Sequence, residues 1–153
     1  MESTVLTEPT EATGIHLWLV LWKAYDALRE HADRHIQTLG LGFSDFGVLE
    51  VLRHKGPTQV NAIGELIGLT SGSITAAVDR LERKSLVARC THATDRRARV
   101  VHLTEQGRKL IECAFAAHEA AMEQATAGLT PAERHAAIIL LKKLGRYAQA
   151  HNS

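Results

Sequence analysis

The 153-residue chain is poor in the residues that mark secreted, fibrous or membrane-spanning proteins. It has two cysteines, Cys90 and Cys113, too few for a disulfide framework and not in a CxxC spacing. That usage suits a reducing compartment, and a cytoplasmic protein is expected. Three prolines and 5% aromatic residues point to helices and leave the core to Leu, Ile, Val and Ala. No apolar run approaches the roughly 18 residues needed to cross a membrane, so no membrane partner is expected. The opening stretch, MESTVLTEPTEATG, holds three glutamates and no basic residue. It is unlike a signal peptide and predicts a short flexible tail over residues 1–12. Signatures of catalysis are missing too: no nucleophile elbow, no phosphate loop, no HExxH, no paired acids in a glycine-rich setting. Neither an enzyme nor a cofactor is expected.

Excess charge of one sign is also scarce, at +1 overall, but its distribution is uneven. Residues 1–70 hold five Lys/Arg against nine Asp/Glu, residues 71–110 hold nine against four, and residues 111–153 hold four of each. Basic charge gathered into one forty-residue stretch is what a phosphate-backbone-binding surface requires.

Apolar residues at Leu17, Val20, Leu21, Ala24, Leu28 and Ala32 recur with helical period and predict a helix over about 15–39, stopped by Gly40 and Gly42. Ser44 is a candidate N-cap for a second helix, with Asp45 in its first turn. HKGP (54–57) ends that helix, and Thr58 to Val60 reads as extended. Asn61 is the expected cap of a short helix to Ile67. After Gly68 another helix runs from about Ser71 to Lys84, then two strands, LVARC and RVVHL, joined by THATDRRA. Thr104 caps a long helix. TPAE (130–133) combines Thr at the N-cap, Pro at N1 and Glu at N3, a capping box that starts the terminal helix.

Between the two short central helices, Ile63, Ile67, Leu69, Ile74 and Ala77 fall where the helices face each other. Gly64 lies at their close contact and Gly68 at the turn. That pattern is a helix-turn-helix. The second helix then carries Thr70, Ser71, Ser73 and Thr75 at its start, short hydroxyls suited to a major groove, with Arg80 further along for a phosphate or a guanine. The hairpin that follows is a wing. Arg96 and Arg97 at its tip are expected in the adjacent minor groove, with Asp95 holding an arginine in an extended pose.

LTSGSITAAVDRLERKSLVARCTHATDRRARVVHLTEQGRKLI (69–111) resembles the multiple-antibiotic-resistance regulator (MarR) family of winged-helix proteins, through DRLE, DRR and LTEQG in that order and spacing. The resemblance extends more loosely over residues 13–150. It implies a mainly α fold with a small β-hairpin wing, a single domain in which the winged helix-turn-helix occupies about 44–103. Helices at about 15–39 and 104–150 would form the dimerisation region. It further implies a homodimer on a pseudo-palindromic double-stranded operator, with a repressor the expected form. Ser85 departs from the family, which usually has glycine there. The site wants φ > 0, so serine should cost a little stability.

Family members often respond to small phenolic or lipophilic acids bound between the dimerisation helices and the DNA-binding lobe. Trp18, Trp22, Tyr25, Phe43 and Phe46 are the candidate lining for a small aromatic effector. The stretch around GSITAAVD is similar to the quinone- and aromatic-responsive branch. A zinc site at His31 and His35, spaced i,i+4, lacks a clear third ligand, and no metal is expected. Redox sensing by relatives uses a cysteine near the start of the first helix, where this chain has none. Cys90 and Cys113 read as small core residues. The alternatives are a redox- or metal-responsive regulator of the same fold, or a helical protein-interaction module whose wing binds an acidic partner.

Overall fold

Threonine starts four of the helices, each accepting a hydrogen bond at its hydroxyl from the backbone N–H three residues on: Thr13 from His16, Thr70 from Ser73, Thr104 from Gly107, Thr130 from Glu133. Each satisfies one of the donors that a helix N-terminus leaves unpaired. The computed structural model describes residues 12–91, 94 and 99–152. Along the chain these form α1 (Gly14–Thr38), α2 (Phe43–Lys55), β1 (Thr58–Gln59), α3 (Val60–Ile67), α4 (Ser71–Arg83), β2 (Val87–Thr91), β3 (Arg99–Leu103), α5 (Glu105–Ala125) and α6 (Pro131–Ala150). The fold is mainly helical with a small antiparallel sheet, as the sequence leads one to expect. The sheet has three strands in the order β1-β3-β2, because Thr58 and Gln59 pair with Val101 and Val100 along the wing's second strand.

Two expected caps are not caps. The helix expected to start at Ser44 begins at Phe43 with Gly42 in the cap position, and the Ser44 hydroxyl is engaged by Arg80 instead. The helix expected to start from Asn61 begins at Val60 with Gln59 as N-cap, leaving Asn61 inside its first turn. The capping box at Thr130 and Glu133 is present with both of its hydrogen bonds.

The core lies in the winged lobe. Leu49 and Leu52 of α2, Ile63 of α3, Ile74, Val78 and Leu81 of α4, Val101 of β3 and Ile111 of α5 are all essentially without solvent contact. Truncating any one of these large aliphatic side chains to alanine costs about 2–5 kcal/mol, so the lobe behaves as one packed unit. The two cysteines are not part of it; both are exposed. On α5 the buried stripe runs through Gly107, Ile111 and Ala114. Cys113 is turned about 200° from Ile111 at 3.6 residues per turn. Along β2 burial fades from Val87 to Thr91 as the hairpin leaves the core, and Cys90 lies on the outer part.

α1 buries only Ala32 and Ile36, near its C-terminal end. Its N-terminal half exposes Ile15, Leu17, Trp18, Leu19, Val20 and Trp22. α6 buries no residue, although Ile138, Ile139, Leu140, Leu141 and Leu144 lie along it. A cavity of about 370 Å³ between these two helices is lined by Leu17, Trp18, Leu21, Leu141 and Leu144.

Candidate nucleic-acid interface

Glycine decides the geometry of the turn between α3 and α4. Gly68 adopts φ +68° and closes α3, while the Leu69 N–H donates to the Gly64 carbonyl at 2.9 Å. A Cβ on Gly64 would sit 3.2 Å from both Ile74 Cγ2 and the Leu69 carbonyl. A side chain there would force its neighbours to give by a few tenths of an ångström, so glycine eases the close approach of α4. The expected helix-turn-helix contacts are formed, with Ile63, Ile74 and Ala77 buried and Ile67 and Leu69 packed against the core.

This turn presents the start of α4 to solvent. Thr70, Ser71, Ser73 and Thr75 are all exposed. The Thr70 hydroxyl caps the helix and donates to Ser73 Oγ at 2.9 Å, and the Thr75 hydroxyl donates to the Ser71 carbonyl at 2.9 Å. These bonds are local. They constrain Thr70 and Thr75, and all four residues remain exposed. The partial positive charge of a helix N-terminus lies behind them.

The DRLE segment faces the other way. The sequence reading directs Arg80 outward to nucleic acid, whereas the structure turns its guanidinium back onto α2. Nη2 lies 2.7 Å from Asp45 Oδ1 and 3.2 Å from Ser44 Oγ, and Nε lies 3.4 Å from Asp45 Oδ2. Asp45 is 3% exposed, and a carboxylate so buried requires a cation. The hydrogen bond to Asp45 holds the Arg80 guanidinium above its ordinary pKa, against the lowering effect of burial. Asp79 and Glu82, one turn apart, reach the wing. Arg89 of β2 donates from Nη2 to Asp79 at 2.5 Å and from Nη1 to the Glu82 carboxylate, and its backbone N–H donates to Glu82 Oε1 at 3.3 Å. Burial alone would lower the Arg89 pKa, but the bonds to Asp79 and Glu82 outweigh it and the net shift is upward. α4 is thus pinned by ion pairs at both sides, to α2 and to the sheet.

The segment between α4 and the wing is equally constrained. Ser85 adopts φ +59°, the one non-glycine residue with positive φ among the described residues. Its N–H donates to the Glu82 carbonyl at 2.9 Å and the Leu86 N–H to the Leu81 carbonyl at 3.0 Å, a Schellman motif. The departure from glycine read in the sequence therefore falls on a left-handed position. At the exit of the wing, Thr104 hydrogen-bonds to the Ser85 and Leu86 carbonyls while capping α5. A Cβ on Gly107 would stand 1.9 Å from the Leu86 carbonyl oxygen. The LTEQG motif is the joint between wing and α5.

Asp95, Arg96 and Arg97 lie outside the described residues. The flanking strands pair in register up to Thr91 opposite Arg99.

The five aromatic residues assigned to an effector separate into two places. Tyr25, Phe43 and Phe46 line one cavity of about 480 Å³ with Arg29, Ile67, Gly68, Leu69 and His118. Trp18 and Trp22 do not line it. They are exposed nearer the N-terminus of α1 with ring centroids 6.5 Å apart, Trp18 beside α6. On the cavity wall His118 meets Phe46 edge-on at 4.9 Å, and its Nδ1 is 3.4 Å from His35 Nδ1. Burial, then the neighbouring His35 and His31, lower the His118 pKa. Among the described residues no group of three or more His, Cys, Asp or Glu is placed to hold a metal ion.

Sequence reasoning missed Asp45, Asp79, Glu82 and Arg89 as one bracing set, and Arg29 and His118 as cavity residues. The signal available for the first set was the spacing of Asp79 and Glu82, i,i+3 on one helix face, followed by a cation inside a strand. Nothing local marked the second.

Comparison with known proteins agrees with this geometry. A family model described as MarR family matches residues 39–98. The HTH-type transcriptional regulator MhqR of Bacillus subtilis (strain 168) is 39% identical over 140 residues, covering 91% of this chain and 97% of that protein. A solved structure of Bordetella bronchiseptica BpsR, from work on regulation of its DNA binding by 6-hydroxynicotinic acid, superposes with TM-score 0.75 at 27% identity, covering 91% and 97% of the two chains. A mutant E. coli MarR complexed with operator DNA superposes with TM-score 0.76 at 23% identity over 85% of this chain and 94% of that one, a likeness of fold.

Proposed function

This chain belongs to the MarR family of transcriptional regulators, and on that premise we propose that it is a cytoplasmic repressor. It binds a pseudo-palindromic operator as a homodimer and is released when a small aromatic or phenolic ligand enters the cavity beside Phe46. The observation that carries the reading is the start of α4. A hydroxyl-rich helix N-terminus stands exposed while ion pairs from Arg80 and Arg89 tie the rest of that helix to α2 and the wing. Thr70, Ser71, Ser73 and Thr75 read base edges and phosphates in the major groove. Arg96 and Arg97 enter the neighbouring minor groove, with Asp95 orienting them. Arg80 acts first as a brace, and its guanidinium, still partly exposed, adds positive potential behind the helix.

The apolar surfaces of α1 and α6 support the homodimer. They leave indole rings and a row of Ile and Leu in water, which a second copy would cover. Two such copies place their recognition helices on half-sites about 10 bp apart. The ligand part is supported by position. Ile67, Gly68 and Leu69 form both the turn before Thr70 and part of the cavity wall, so an occupant that moves the turn moves the recognition helix.

Selection of bound fragments from the source genome would yield the operator. Binding of an inverted repeat and of a scrambled duplex would then be compared across salt concentration. The expected result is preference for the repeat and a log–log salt slope of about −0.9 per phosphate neutralised. Equal binding of both duplexes would reject the specific-regulator reading.

A further inference from the structure

His35 on α1 and His118 on α5 meet across the joint between the two helices, although 83 residues separate them in the chain. Both residues are half-buried. Their Nδ1 atoms lie 3.4 Å apart while the ring centroids are 5.5 Å apart, so these nitrogens are the facing corners of the two rings. Phe46 of α2 closes one side, edge-on to His118 at 4.9 Å. Among the described residues neither imidazole has a carboxylate or any other hydrogen-bonding side chain as partner.

As a hydrogen bond the contact is poor. Its length exceeds the usual range of about 2.7–3.2 Å for an N–H donor to oxygen, and two protonated rings at that distance would repel. The separation fits another arrangement closely. Two imidazole nitrogens, each about 2.0–2.1 Å from a tetrahedral metal ion, are about 3.3–3.4 Å from one another. The sequence offers His31 with His35 as an i,i+4 zinc pair, whereas the structure brings His35 a partner from a different helix. A donor set made of imidazole suits zinc, nickel or copper and not magnesium or calcium. No group of three protein donors is present among the described residues, so water fills the remaining positions.

We propose that His35 and His118 hold one divalent transition-metal ion between their Nδ1 atoms, with water completing its coordination, and that the ion ties α1 to α5. Each ring binds as neutral imidazole and keeps its proton on Nε2. The tie joins the helix that exposes Trp18 and Trp22 to the one that locks onto the wing through Thr104 and Gly107. The proposal is independent of the operator and effector readings given above, and its test uses neither DNA nor an organic ligand.

The test begins with isothermal titration calorimetry of the full chain with Zn2+ near neutral pH, and with Mg2+ for comparison. One zinc ion per chain is expected and no uptake of magnesium. Zinc should also raise the melting temperature, because it binds the folded form. His35→Asn and His118→Asn are each expected to weaken zinc binding by about tenfold or more, at least the cost of losing a supporting group at a metal site. The double variant should lose little beyond either single one, because both donors serve the same ion. Melts in a chelator check that the variants are folded. Cys90→Ser combined with Cys113→Ser is expected to leave the affinity unchanged. Electron paramagnetic resonance of the parent chain with one equivalent of Cu2+ should report two coordinated nitrogens and requires no substitution. Zinc bound equally well by His118→Asn, losses that add in the double variant, or affinity that disappears with the two thiols overturns the proposal. So does a copper spectrum with fewer than two nitrogens.

Discussion

Arg89, on the first strand of the wing, lies with its guanidinium 2.5 Å from the carboxylate of Asp79 on α4. The same guanidinium also holds Glu82. Arg89→Gln leaves two acids unpaired close to where phosphate is expected. Each acid is over 40% exposed, so water screens much of the loss and the stability cost is about 1 kcal/mol. Operator affinity is expected to fall further, about tenfold, because wing and helix lose their shared orientation. A urea melt paired with a mobility-shift titration separates the two effects. Undiminished operator binding would show that the clamp does not position the wing.

At Ser85 the expected change is a gain. With φ at +59°, serine holds a conformation that glycine adopts freely. Ser85→Gly should therefore stabilise the protein by about 0.5–1 kcal/mol, and raise the melting temperature by about 2–4 °C per kcal/mol at this size. Melts compared at equal chain concentration would reveal it. A lower melting temperature for the glycine variant would refute the strain argument.

Gly107→Ala is the reverse case. The new methyl group would meet the Leu86 carbonyl at 1.9 Å, and both partners are backbone within structured joints. The expected loss is about 3 kcal/mol or more, seen as poor solubility or a much earlier urea midpoint. A variant as stable as the parent would mean that α5 and the wing are not locked together at this point.

His118 sets a pH window. Its pKa is lowered in the folded chain by burial and by His35 and His31, so the protein is stabilised by its neutral form. That contribution is complete above the unfolded value of about 6.5 and is lost as pH falls through the lower folded value. Melting temperature should decline on going from pH 7.5 to 5.5. His118→Asn should show a shallower decline. Identical pH profiles for the two proteins would exclude His118 as the cause.

On the operator, Arg97→Ala should weaken binding to every duplex alike and reduce the salt slope by about one phosphate. Ser73→Ala should instead change which bases are preferred, by about 1–3 kcal/mol at the affected position. Competition binding against a set of single-base operator variants distinguishes the two patterns. Loss of base preference in Arg97→Ala with an unchanged slope would reverse the assigned roles.

The elements with strong periodicity or clear caps were legible from the residues alone. Thr130-Pro131 with Glu133 specified the start of α6, and Gly64 with Gly68 specified the helix-turn-helix, because each of those needs depends on neighbours a few residues away. Long-range partners were not legible. The pairing of Arg80 with Asp45, thirty-five residues earlier, has no local signal. Ser44 looks like a cap until Arg80 claims its hydroxyl. The aromatic set divided for a similar reason. Tyr25 lines the cavity against α2 and Trp18 the one against α6, a division that periodicity cannot distinguish. Cys113 was misjudged by two residues of helical phase.

A helix of twenty residues that buries none of them within its own chain has little to keep it ordered in water. In the homodimer proposed above, α6 would draw its order from the second copy, and chain concentration would then enter the folding equilibrium. Dilution would act on such a dimer as a mild denaturant does on others, and a cell that makes more of it would raise the fraction able to act as well as the number of copies.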